Sequence, residues 1–222
     1  MRCRVRRTVS VLVLIERMIH LEDILSRNHA GLLFLIKLAG NERLNANQIQ
    51  NVFFLLKEAG LPEANIDFVF AFPYSYSDQL LWKLEELISW KLVNREITEE
   101  KRFYTLSEEG EKALEKFQLS KKFCMVVERI LSEPRDAVKA AALMRHLIKI
   151  KLSVSDALFC LRKEGFSPLA LDKAERILMD LELLKVNGKG GLCENESSDF
   201  FHDSKFSNDV FRYEGSRGRH GL

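Results

Sequence analysis

Apolar side chains recur along this chain at two periods, and the switches between them mark its elements. His29 to Leu38 is apolar on nearly every side, which predicts a buried helix. From Asn45 to Ala59, the residues Ile49, Val52, Phe53, Leu56 and Ala59 fall on one helical face, and Gly60 ends the run. Phe68 to Phe72 reads as a short apolar strand that Pro73 stops. A third helix begins at Ser77 or Asp78, with Leu81, Leu84, Ile88 and Leu92 as its buried side. The period then shortens: Leu92–Ile97 and Arg102–Leu106 predict two strands joined by a short loop, Thr98 to Lys101.

The second of these strands runs straight into a helix. Ser107 is placed to accept from the open N–H groups of a first turn, and Glu108 and Glu109 suit the positive end of a helix dipole. The apolar side is Gly110, Ala113, Leu114 and Phe117, and a glycine on the packed side predicts close approach to a neighbouring backbone. Two more helices are predicted over Gln118–Glu133 and from Pro134, as first helical residue, to about Lys151. Beyond Ser155 the pattern repeats itself, Leu158–Gly165 matching Phe53–Gly60. A shift of 93 positions also sets Leu81, Leu84, Ile88, Val93 and Asn94 against Ala174, Ile177, Leu181, Val186 and Asn187, and Asn187-Gly188 then supplies a tight turn. After Leu192 the chain is polar with scattered phenylalanines, the composition of a disordered tail.

The order helix, hairpin, helix is carried by Leu84–Val93, the hairpin, and Tyr104-Thr105-Leu106-Ser107-Glu108-Glu109-Gly110 running on to Leu114. It resembles the winged-helix family. The resemblance implies a mainly α fold with small β-hairpin wings, a winged helix-turn-helix present as one unit or as two in tandem. The expected layout is a basic arm (1–17), a winged-helix domain (18–117), a helical domain or reduced second winged unit (118–192) and a tail (193–222). Phe72-Pro73-Tyr74-Ser75 is also similar to a motif of prokaryotic winged-helix proteins that include antitoxin-like regulators of the Panacea type, with Phe72 where those carry glycine. The family's usual role implies a non-enzymatic regulator of transcription that binds double-stranded DNA, with a homodimer as one arrangement.

Charge complicates that expectation. The net +2 of the chain hides +4 over residues 1–17, −5 over 18–117 and +5 over 118–151. The part that resembles a winged helix is therefore acidic, although phosphate neutralisation dominates affinity for nucleic acid. Its candidate recognition helix, Ser77 to Lys91, sets Lys83 and Lys91 against Asp78, Glu85 and Glu86. The residues expected to contact DNA are accordingly Arg95, Lys101 and Arg102 on the wing, with Lys121, Lys122, Arg129, Arg135 and Lys139 beyond it. Arg145 and Lys149 extend the same basic pair of helices. The alternative is a protein–protein interaction module in which the acidic unit docks a partner.

Candidate chemistry is sparse. The four cysteines form no C-x-x-C pair and the five histidines show no metal-ligand spacing. Gly188-Lys189-Gly190-Gly191 lacks the order of a phosphate loop, and Gly165-Phe166-Ser167 lacks the second glycine of a nucleophile elbow. The expectations are no catalysis, no cofactor and no metal. No run of about 18 apolar residues predicts a membrane span. The basic start followed by Val9–Ile15 is short for a signal peptide, and Met18 offers an alternative start. The expected compartment is the cytoplasm.

Overall fold

The computed structural model describes residues 25–71, 74–98 and 101–183. The first part comprises α1 (Arg27–Ala39), β1 (Leu44–Asn45), α2 (Ala46–Glu58), β2 (Val69–Ala71), β3 (Tyr74–Tyr76), α3 (Asp78–Ser89), β4 (Val93–Ile97), β5 (Arg102–Leu106) and α4 (Glu108–Leu114). Four helices follow: α5 (Lys121–Leu131), α6 (Arg135–Lys149), α7 (Val154–Lys163) and α8 (Pro168–Asp180). The described protein is mainly helical, with two small antiparallel sheets.

Helix starts follow a common local rule. Ser77, Ser107, Ser120, Ser153 and Ser167 each accept a backbone N–H from three residues on, which satisfies a donor that the helix itself leaves open. At α2 the rule is reciprocal: Gln48 N–H donates to Asn45 Oδ1 at 3.0 Å, and Asn45 N–H donates to Gln48 Oε1 at 2.9 Å.

Helix ends share a device as well. After α2, α3, α6, α7 and α8, a residue with positive φ (Gly60, Lys91, Lys151, Gly165 and Glu182) reverses the chain. The apolar residue after it bonds back to a leucine: Leu61 to Leu56, Leu92 to Leu87, Leu152 to Leu147, Phe166 to Leu161 and Leu183 to Leu178. The match between Phe53–Gly60 and Leu158–Gly165 is accounted for by this shared ending.

In the larger sheet the strand order is β1-β5-β4, all antiparallel, with Leu44 opposite Tyr104 and Arg95 opposite Tyr104 on the other side. Tyr104 is the buried residue of β5, closing the sheet onto the helices. The smaller sheet pairs Phe70 with Ser75. One core runs from Leu32, Leu33 and Phe53 in α1 and α2 through Phe123 and Val127 in α5 to Leu143, Ala174 and Leu178 in α6 and α8, so it spans both sides of residue 117.

Several elements differ from the sequence reading. β1 and β3 were not expected, because two or three residues carry no readable period and the pairing partner of β1 lies far along the chain. α4 stops at Leu114 rather than Phe117. Pro134 stands one residue before α6 rather than inside it. On α3 the fully buried residues are Leu80, Leu84 and Leu87, with Leu81 and Ile88 only half-buried. Ser77 sets that rotation, since its N–H donates to the buried Gln50 Oε1 at 2.7 Å and anchors the start of α3 on α2. The basic arm, Met18, the Phe72-Pro73 half of the motif compared with the Panacea type, the hairpin tip Glu99–Glu100, the turn at Val186–Gly188 and the tail lie outside the described residues.

Candidate functional site

α3 presents one face to the core and the opposite face to solvent. Trp82 stands in the middle of the outer face with 71% of its surface exposed. Helical spacing places Asp78 and Gln79 one turn before it and Glu85 and Glu86 one turn after it. All four are exposed. Their contacts hold them in place: the Tyr76 hydroxyl donates to Asp78 at 2.7 Å, Asp67 N–H donates to Gln79 at 3.2 Å, and Arg95 donates to Glu85 at 2.6 Å. The result is an indole ringed by carboxylates. Sequence reading named the charged residues of this face and missed Trp82. The signal was available, because position 82 lies two residues from both Leu80 and Leu84 and so falls about 200° round the helix from each.

Behind this face, His29 ties α1 to α3. Ser26 N–H donates to His29 Nδ1 at 3.0 Å, so the ring proton sits on Nε2 and is donated to Glu86 Oε2 at 2.8 Å. Burial holds this imidazole below its ordinary pKa, against the hydrogen bond it donates to Glu86, which pulls it up. Trp90 meets the ring edge-on at 5.2 Å. Ser26 Oγ also lies 3.0 Å from Nδ1, which gives the outline of a Ser-His-Glu triad. However, Nδ1 already accepts the Ser26 backbone N–H, so it has no lone pair free to take the hydroxyl proton. The group is a clamp between two helices.

A groove of about 680 Å³ lies between the end of α3, β4 and the start of α4. Ile88, Val93 and Leu106 give it apolar lining, and Lys91, Arg95, Glu108 and Glu109 stand around it. The Arg95–Glu85 pair joins the groove to the Trp82 face. On the same hairpin Ile97 is 67% exposed.

The residues expected to touch DNA are scattered in their engagements. Arg95 is held by Glu85. Arg129 is shared between Glu133 at 2.6 Å and Asp180 at 2.9 Å, tying α5 to α8. Arg135 donates to the backbone oxygens of Glu42 and Arg43, bracing the turn before β1. Lys139 lies 5.5 Å from the Phe166 ring. Arg145 and Lys149 both reach Glu58, at 3.0 and 2.8 Å, and fasten α6 to the end of α2. Lys101, Arg102, Lys121 and Lys122 are exposed.

His146 is buried. It stacks on Phe54 with centroids 3.7 Å apart and 14° between planes, and Phe70 meets it at 4.8 Å with the rings tilted by 31°. Burial first, and Lys149 second, push its pKa down to about 4.

Among the described residues no group of three or more His, Cys, Asp or Glu is placed to hold a metal ion, and no helix is long and apolar enough to cross a membrane. Comparison with protein-family models, curated proteins and solved structures finds no match to this chain.

Proposed function

We propose that this chain is a non-enzymatic winged-helix module that works by docking a protein partner through the outer face of α3 and the adjoining hairpin. The order α1-β1-α2-α3-β4-β5, with the β2–β3 pair inserted between α2 and α3 and β5 paired between β1 and β4, supports the winged-helix reading. In it α3 takes the place of the recognition helix and β4–β5 that of the wing.

The observation that carries the docking role is Trp82, 71% exposed among Asp78, Glu85 and Glu86. A phosphate backbone is repelled by that face. Protein interfaces, by contrast, concentrate their binding energy in large aromatic anchors with a polar rim, which is the composition found here. The non-enzymatic reading is supported by the occupied Nδ1 of His29, which leaves that imidazole unable to act as a base towards the Ser26 hydroxyl.

A second reading, a transcription regulator that binds double-stranded DNA, is favoured by the exposure of Lys101, Arg102, Lys121 and Lys122. Titration with random duplex DNA over a range of salt separates the two. The docking reading expects no affinity that falls steeply with salt. Salt-steep binding, weakened by the double change Lys121→Ala and Lys122→Ala, would overturn it in favour of the DNA regulator.

A further inference from the structure

We infer that the Trp82 face receives a partner segment combining Lys or Arg side chains with bulky apolar ones, the indole packing on the apolar side chain while the surrounding carboxylates pair with the cations. The inference rests on the docking role proposed above and adds the chemistry of the occupant. An exposed indole is costly to leave in water and gains both packing and cation–π attraction when a partner covers it.

Charge decides which partner. Asp78, Glu85 and Glu86 lie within one turn of Trp82, and Glu108 and Glu109 stand at the adjoining groove. Three cations stand nearby, and Lys91 lines the groove beside Glu108 and Glu109. Arg95 is held by Glu85, and Lys83 reaches back to Ser26 Oγ at 3.4 Å, towards the start of α1. Glu86 faces His29, which burial keeps below its usual pKa, so no fixed cation answers that carboxylate there.

The five carboxylates of Asp78, Glu85, Glu86, Glu108 and Glu109 outnumber the three cations Lys83, Lys91 and Arg95, so the face and groove together keep a net negative charge. Two copies meeting through it by a two-fold axis would set like charges against each other, which disfavours a homodimer at this surface. DNA is disfavoured for the same reason. A basic and apolar segment is complementary at both levels: the groove of about 680 Å³ beyond the Glu85–Arg95 pair, lined by Ile88, Val93 and Leu106, extends the apolar part of the track.

Fluorescence anisotropy with two labelled peptides of equal length tests this on the full chain. One peptide alternates Lys and Leu, the other Glu and Leu. The Lys–Leu peptide is expected to bind, with the Glu–Leu peptide at least about tenfold weaker, and Trp82→Ala is expected to weaken the Lys–Leu peptide about tenfold or more. Asp78→Asn should weaken it as well, while Glu128→Gln on α5 leaves it unchanged. Equal binding to Trp82→Ala, or preference for the Glu–Leu peptide, overturns the inference. So does a dimer in sedimentation that Trp82→Ala dissolves. Salt-steep binding to duplex DNA would instead remove the docking reading beneath it, so the two failures are told apart.

Discussion

Gly110 lies directly against the backbone of Leu92: a Cβ built at position 110 would fall 2.1 Å from the Leu92 carbonyl oxygen and 2.8 Å from Leu106 Cδ1. The contact brings the start of α4 onto the turn that leads from α3 into β4, and Ser107 secures it by donating to Lys91 O at 2.7 Å. Gly110→Ala is therefore expected to destabilise the fold by about 3 kcal/mol or more, because a backbone oxygen cannot move aside as a side chain can. Gly110→Leu should be worse. A denaturant midpoint shift with unchanged slope checks it; an unshifted midpoint would refute the packing described for α4.

Stability should fall with acid in a window set by His146. The folded chain protonates this imidazole only near about 4, whereas the unfolded chain does so near its ordinary 6.5. Between those values the unfolded state binds more protons, so the contribution is present above 6.5 and is lost as the pH drops towards 4. His146→Leu is expected to flatten the decline over that window in parallel denaturation series. Curves that keep the same slope would show that His146 is not buried in neutral form.

Glu58 should prove the key member of its ion cluster. Burial pushes its pKa up, but the hydrogen bonds from Lys149 and Arg145 outweigh burial and hold the carboxyl below its usual range. Its side chain is only 8% exposed, against 47% for Lys149. Glu58→Gln is expected to cost about 1–3 kcal/mol, since it leaves two cations less compensated at the α2–α6 contact. Lys149→Ala should cost less than about 1 kcal/mol, as a half-exposed partner does. Thermal or chemical denaturation of the two variants would settle the order, and a reversed order would contradict the geometry.

Trp82 is expected to matter to binding and not to folding. Trp82→Ala should change the unfolding free energy by no more than about 0.5 kcal/mol, as for other surface positions without special contacts. A large loss would place the indole in the core and undo the docking proposal.

What was legible in the sequence was local. Ser107, Ser77 and Gly60 announce helix ends through groups that act on residues three or four positions away, and Gly110 announces a close approach because it interrupts an apolar face. The helices therefore lie within a few residues of their expected positions. What was hidden depends on partners distant in sequence. Leu44–Asn45 becomes a strand only because Tyr104 and Phe103 arrive beside it. His29 meets Glu86 across 57 positions, and Arg145 meets Glu58 across 87. A basic residue read from sequence shows its charge but not its counter-ion. Arg129 and Arg135 look the same as Lys121 and Lys122 in the chain, and all four are exposed, yet Arg129 reaches Asp180 and Arg135 reaches Glu42 across the fold.

The central claim is that a protein partner lands on Trp82, and the indole N–H signals of an isotope-labelled sample test it most directly. The chain has two tryptophans, Trp82 on the outer face and Trp90 packed against His29. Their cross-peaks are assigned by Trp82→Phe. Adding the Lys–Leu peptide is expected to move the Trp82 indole signal and leave that of Trp90 in place. Movement of neither signal, while the peptide is bound, would show that the partner surface lies elsewhere.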